Sequence, residues 1–181
     1  DWFWVFVVAM LAWAYVWAFV RVRRQGGRWP ALRLASWLVG LALVTYATSG
    51  AFAVYSRVLF SVHMMEHMSL TMIIPIFLVL GAPVTLLLQA LEPRQDGTRG
   101  PREWILRLVH SGWSKVITHP IFAAVNFAGS IVLFYFTPLF GVTLRYHVGH
   151  EFMMVHFLVT GYIFCLVLIG VDPIPVSYTH L

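Results

Sequence analysis

Charged residues are scarce in this 181-residue chain: they make up 10% of the sequence, against 60% hydrophobic residues. A soluble domain carries roughly a quarter charged residues, so the composition excludes an ordinary soluble domain. Apolar runs of about 20 residues recur instead, and each is long enough to cross the ~30 Å hydrocarbon core of a bilayer. The sequence therefore predicts an all-α, polytopic membrane helix bundle that has the lipid bilayer as its surroundings.

Cysteine is almost absent, since Cys165 is the only one and lies within an apolar run. A single cysteine excludes an internal disulfide, a CxxC redox pair and a cysteine-based copper site within this chain. We interpret Cys165 as a buried thiol that packs like a small hydrophobic residue.

Five spans are predicted within a single transmembrane domain, residues 1–175. Their approximate bounds are 2–20, 34–53, 58–80, 120–139 and 147–170. Residues 101–115 carry apolar side chains at helical spacing after a proline, which predicts an amphipathic helix lying on the membrane surface. Residues 176–181 follow the Asp172-Pro173 turn abruptly, and we expect them to be a non-native or truncated tail.

Acidic residues are also few, seven against twelve Lys and Arg. Residues 21–33 and 92–115 carry five bases each, whereas the opposite side has only Arg57 and Arg145. Bases accumulate in cytoplasmic loops, so we predict an outside N-terminus and a cytoplasmic long loop, 92–119. The bases form no RNA- or DNA-binding pattern, and no nucleic acid partner is expected.

Two polar clusters interrupt the apolar runs at a matching depth in the outer half of the membrane. The first lies early in the third span and the second early in the fifth: His63, Glu66 and His67; His147, His150 and His156. Residues three or four apart share a helix face, so each cluster contains one histidine pair, whereas His156 points roughly away from His147. Ionisable groups within spans mark functional sites by default, and the clusters predict a site between two helices.

Methionines accompany both clusters, which bears on the metal that such a site would hold. Imidazole suits Cu, Zn and Fe, and a thioether shifts the preference towards Cu(I). A carboxylate beside a histidine pair can fix the ring tautomer, ligate the metal or accept a proton. The candidate metal-site residues are therefore His63, His67, His147, His150, His156, Met64, Met68 and Glu66.

Three other interpretations stay open on the residues alone. Histidines facing each other from two spans are what bis-His haem ligation requires. A di-metal hydroxylase needs more His and carboxylate ligands than one level of this chain supplies. Intramembrane histidines also serve simply to hydrogen-bond helices together.

Four segments carry a family resemblance through their order and spacing: SVHMMEHMSLTMIIPIFLVLGAPVTLLLQAL, RGPREWILRLVHS, THPIFAAVNFAGSIVLFYFTPLF and HVGHEFMMVHFLVTGYIFCLVLIGVDPIP. Over residues 55–175 the chain resembles the CtaG family of polytopic cytochrome c oxidase assembly factors. The resemblance implies a non-enzymatic protein of the bacterial plasma membrane that helps to mature a caa-type haem–copper oxidase, by supplying copper to it. Oxidase subunits are the implied partners, together with a CopD-like copper-resistance domain to which relatives are often fused.

The resemblance also carries over to individual positions. The histidines at 63, 67, 147, 150 and 156 match the family's pattern, as do Met64 and Met68. Glu66 departs from it, because glutamine is expected there. Relatives are expected to continue beyond the Asp172-Pro173 turn with further spans.

Overall fold

A computed structural model describes residues 2–56, 58–91 and 100–172. Within them the chain is helical and contains no strand, which confirms the predicted all-α fold. The helices are α1 (Trp2–Arg24), α2 (Ala31–Ser49), α3 (Ala51–Tyr55), α4 (Phe60–Met68), a π turn (Ser69–Ile73), α5 (Ile74–Leu80), α6 (Pro83–Ala90), α7 (Pro101–Val109), α8 (Gly112–Ile117), α9 (Pro120–Phe136), α10 (Leu139–Arg145) and α11 (His147–Ile169).

Four helical stretches in the described part of the chain are long and apolar enough to cross a membrane. They are Trp2–Arg24, Ala31–Tyr55, Phe60–Ala90 and His147–Ile169. The fourth predicted span corresponds to α9, which is apolar but has only 17 residues, or about 25 Å of helix. The chain is therefore a polytopic membrane protein, as predicted.

The third span continues beyond residue 80, where the sequence predicted its end. Ala82 adopts a left-handed backbone conformation with φ of 46°, which bends the chain after α5. Pro83 then begins α6, because the first helical position needs no backbone N–H. The Gly81–Pro83 segment is a bend between two helices.

Two further predicted helices have different bounds for local reasons. The surface helix 101–115 divides at His110–Ser111, where Ser111 Oγ accepts a hydrogen bond of 3.1 Å from the Ser114 N–H and caps α8. α9 ends at Phe136, because Thr137 precedes a proline and takes an extended conformation. The predicted loop bases Arg57, Arg94 and Arg99 and the tail 176–181 lie outside the described residues.

The main core forms where α2 packs against α5 and where α1 contacts α2 and α6. Trp37, Leu41, Leu78 and Leu86 are among its buried side chains. Gly40 permits the close approach of α2 to α5, because a Cβ there would lie 2.7 Å from Leu78 Cδ2. α11 packs against α5, α9, α10 and the π turn, so it connects α9 and α10 with the earlier helices of the bundle.

Side-chain hydrogen bonds fasten the end of the bundle farthest from the histidine clusters. Asp172 follows α11, and its Oδ1 accepts hydrogen bonds from the Thr85 N–H at 2.9 Å and the Thr85 hydroxyl at 2.7 Å. These bonds satisfy a free amide in the first turn of α6. The Tyr15 hydroxyl donates to the Gly81 carbonyl at 2.7 Å. Both contacts fix the bend at Gly81–Pro83 against neighbouring helices.

Candidate metal centre

Three histidines from two helices converge near the starts of two long apolar stretches, Phe60–Ala90 and His147–Ile169. His63 and His67 come from α4, His150 comes from α11, and one ligand nitrogen from each lies within 4.8 Å of the others. His63 is 7% exposed and His67 is fully buried. We call these three residues the histidine triad. It contains members of both clusters that the sequence placed at one depth.

Helical spacing explains why the triad forms. His63 and His67 are four residues apart, so their rings lie on one face of α4, and their Nε2 atoms are 3.0 Å apart. The His150 ring approaches from α11, with centroid distances of 5.4 Å to the His63 ring and 5.6 Å to the His67 ring. The site therefore depends on side chains of α4 and α11 reaching one another at this level.

The π turn below the triad packs closely against α11. Pro75 has no N–H and cannot bond the Thr71 carbonyl four residues earlier. This carbonyl faces Gly161 of α11, where a Cβ would overlap it. The Thr71 hydroxyl meanwhile donates to the His67 carbonyl at 2.6 Å. Pro75 and Gly161 together let the two helices meet immediately below His67.

A cavity of about 590 Å³ adjoins the triad. Its lining includes four members of the two clusters and two further ligand-type side chains: His63, Glu66, His147 and His150, with Glu151 and Met154. Glu66 is 1% exposed and Met154 is 2% exposed. Imidazole, carboxylate and thioether groups thus border one space inside the bundle.

His147 lies at the outer rim of this cavity rather than in the triad. Its side chain is 66% exposed, and its Nε2 is 3.9 Å from Glu151 Oε1 one turn further along α11. The other oxygen of Glu151 accepts a hydrogen bond of 2.5 Å from the indole N–H of Trp4. Trp4 belongs to α1, so a third helix contributes to the rim.

The remaining candidate residues lie away from the triad. Met64 and Met68 each follow a triad histidine by one residue, which turns them about 100° around α4, and they do not line the cavity. His156 faces α9, where its Nε2 is 2.8 Å from Ser130 Oγ. It lies beside the rings of Phe134 and Phe152.

Glu151, Met154 and Trp4 border the site although they were not among the sequence candidates. Glu151 and Met154 stand four residues after His147 and His150, so the spacing that paired the histidines also indicates them. Trp4 had no such indication, because its hydrogen bond to Glu151 joins two helices that are far apart in the sequence.

The residues present fit a transition-metal ion. Metal–nitrogen bonds of about 2 Å can reach a common point from imidazoles clustered this closely. His67 Nδ1 is buried without a hydrogen-bond partner among the described residues, which costs on the order of 1–3 kcal/mol if nothing binds it. Imidazole nitrogens with a nearby thioether suit copper better than Mg²⁺ or Ca²⁺.

Comparison with known proteins gives a family match over most of the chain. The model of the family described as cytochrome c oxidase caa3 assembly factor (Caa3_CtaG) matches residues 13–181. The uncharacterized protein ML1998 of Mycobacterium leprae is 50% identical over 168 residues, and the uncharacterized protein Mb0105 of Mycobacterium bovis is 48% identical over 167 residues.

Each alignment with these relatives covers 92% of this chain, but only 26% and 25% of the relatives themselves. The chain therefore spans about a quarter of the length of the curated relatives it matches. No solved structure matches it. The family match includes every residue of the triad and of the cavity lining, and the chain belongs to the Caa3_CtaG family of cytochrome c oxidase caa3 assembly factors.

Proposed function

We propose that this chain is the metal-handling part of an assembly factor that supplies copper, as Cu(I), to a haem–copper cytochrome c oxidase. Family membership supports the assembly role. The observation that supports the copper assignment is the triad of buried His63, buried His67 and half-buried His150 beside a cavity. The protein's task is then to hold and release an ion, and no catalysed reaction is required of it.

The triad suits temporary holding of the ion. Three neutral imidazoles bring no charge of their own, so the loaded triad carries only the single positive charge of Cu(I), which is less costly in an apolar interior than the charge of a divalent ion. The buried Met154 lines the same cavity and offers a soft, flexible thioether. Replacing one ligand by another lets the ion leave without ever being bare in hydrocarbon.

Haem is the second ligand considered for these histidines. Haem iron takes two axial ligands, whereas three imidazoles converge here. A bare ion can use all three, so the geometry favours copper over haem. Partnership with oxidase subunits follows from the proposed role, and partnership with a CopD-like domain stays a prediction from the family resemblance.

Metal content tests the proposal directly. We expect the purified full chain to bind Cu(I), and His63→Ala, His67→Ala and His150→Ala to lose it, because each removes a triad ligand. His156→Ala is the matched control: this histidine shares α11 with His150 but bonds Ser130, so copper should be retained. Metal analysis and absorption spectra provide the readout. Unchanged copper in a folded triad variant, or a Soret band in the wild type, would overturn the proposal.

A further inference from the structure

The exposed fraction of the ligand-type side chains around the cavity decreases from the surface to the interior. His147 is 66% exposed at the side chain and Glu151 is 16% exposed. His63, by contrast, is 7% exposed, and His67 is fully buried. His147 lines the cavity together with His150 and His63, so one continuous space connects an exposed imidazole with the triad.

The spacing along α11 is suited to short steps. His147 and His150 are three residues apart, which is about 4.5 Å along the helix axis and on one face. Glu151 follows His150 by one residue, and its Oε1 lies 3.9 Å from His147 Nε2. An ion bound at the rim therefore lies within one helical turn of a triad ligand.

Trp4 fixes the carboxylate of this rim pair. Its indole N–H donates to Glu151 Oε2 at 2.5 Å, and Trp4 itself is 2% exposed. An exposed His–Glu pair at i,i+4 contributes only about 0.3–0.5 kcal/mol to helix stability. The hydrogen bond from Trp4 of α1 is not needed for this small contribution to helix stability. It does orient Glu151 Oε1 towards the cavity mouth.

We propose that His147 and Glu151 form an access site, which captures copper at the cavity mouth and passes it to the triad by ligand exchange. This inference rests on the copper-handling function proposed above. At each step a bond from the ion to the next nitrogen forms as the bond to the previous ligand breaks, and the ion remains Cu(I) throughout. The ion is never stripped of all ligands, which avoids the large cost of a bare charge in an apolar medium.

An access site affects the rates at which Cu(I) is loaded and released, but not the equilibrium affinity of the triad for Cu(I). The substitution His147→Ala should therefore slow both loading and release of Cu(I) by the same factor, about tenfold or more, with Kd unchanged. Glu151→Gln should have the same effect to a lesser degree, because the amide oxygen can still accept the Trp4 hydrogen bond.

The experiment follows transfer of Cu(I) between a chromogenic chelator and the full chain in detergent, without oxygen. Stopped-flow absorbance gives the rates in both directions, and equilibrium competition with the same chelator gives Kd. His110→Ala is the matched control, since His110 is an exposed histidine that bonds the Leu106 carbonyl away from the cavity. Its rates and affinity should equal those of the wild type.

Each remaining outcome contradicts a separate statement. Wild-type rates in His147→Ala, with wild-type affinity, overturn the access site and leave the copper-binding triad standing. A weakened Kd with unchanged loading rate places His147 in the final ligand set, which also overturns the access site. Absence of Cu(I) binding in the wild type overturns the proposed function itself.

Discussion

At the scale of single residues, Glu66 brings an acidic group into the membrane interior beside the triad. It lines the cavity and is 1% exposed, and the family resemblance leads us to expect glutamine at this position. A carboxylate in a low-dielectric interior attracts a nearby cation more strongly than it would in water. Glu66 should therefore influence which cation the site prefers.

Glu66→Gln tests that influence with almost no change of shape. Coulombic attraction grows with the charge of the ion, so loss of the negative charge should weaken Zn²⁺ binding more than Cu(I) binding. We expect the Cu(I)-to-Zn²⁺ affinity ratio to rise roughly tenfold or more. Chelator-competition titrations with each metal measure the ratio.

The control for this substitution is Glu103→Gln. Glu103 lies on α7, and its carboxylate accepts a hydrogen bond from the Gly100 N–H at 2.8 Å, so its loss should leave both metal affinities as they were. Equal losses for the two metals in Glu66→Gln would contradict the electrostatic role of Glu66.

The triad could be anticipated from sequence because helix geometry alone places residues 63 and 67 on one face, and span register gives their depth. The same geometry turns Met64 and Met68 off that face. Their thioether chemistry and the family resemblance, and not their position around the helix, made them candidate ligands. Trp4 could not be anticipated, since its contact with Glu151 joins residues 147 positions apart.

At the scale of elements, the contact between α11 and the π turn sets the position of the triad. The Thr71 carbonyl occupies the space that a side chain at Gly161 would need. Pi turns arise where an extra residue is accommodated in a helix, frequently at functional sites. This one begins at Ser69, two residues after His67, and separates α4 from α5.

Gly161→Ala should therefore destabilise the bundle. A methyl group there meets backbone, which cannot rotate away, and overpacking of this kind typically costs about 1–3 kcal/mol. The free energy of unfolding in detergent, followed by circular dichroism, measures the loss. Cu(I) affinity should fall as well, because α11 carries His150.

Gly129→Ala is the matched control for the glycine substitution. Gly129 is also helical, in α9, and a Cβ there meets nothing within 4 Å. Stability should stay the same or rise slightly, since alanine has the higher helix propensity. A Gly161→Ala protein as stable as Gly129→Ala would show that the helices are not in contact at this point.

The sequence predicts which segments are helical, but it does not predict all of the helix ends, because these depend on tertiary contacts and caps. Apolar run length was enough to indicate the spans. The extension through α6 depends on the positive φ of Ala82 and on the cap that Asp172 gives to Thr85, and the second of these joins distant parts of the chain. The division at Ser111 is local, and its serine cap could have been read from sequence.

At the scale of the whole molecule, orientation in the membrane rests on the distribution of bases. The sequence predicts that the start of α11 faces outwards and that α8 faces the cytoplasm. Both regions offer exposed positions for labelling: Val148 is 79% exposed, and His119, directly after α8, is also exposed.

Single-cysteine labelling in a Cys165→Ser background tests this orientation. In intact cells a membrane-impermeant thiol reagent should label Val148→Cys, because that position lies on the outer side. His119→Cys should react only after the membrane is permeabilised. The parent Cys165→Ser protein, which has no cysteine in this chain, gives the background. The reverse labelling pattern would contradict the predicted orientation and place the cavity mouth in the cytoplasm.

Composition predicted the class of the whole molecule. A chain with so few charged residues exposes mainly apolar surface, which a lipid bilayer solvates and water does not. The pairing of helices could not be predicted in the same way. Apolar faces meet lipid and protein equally well, so hydropathy does not distinguish them. Close contacts such as Gly40 against Leu78 depend on shape, which requires the structure.

The position of Cys165 has a consequence for how the candidate metal centre responds to thiol reagents. It is buried on α11, 15 residues or about 22 Å along the helix from His150, and the ligand-type groups that line the cavity are imidazole, carboxylate and thioether. A thiol-specific reagent would therefore leave these groups chemically unchanged, whereas peroxide would still oxidise the Met154 thioether. The proposed metal centre thus does not require any cysteine of this chain to be kept as a reduced thiol.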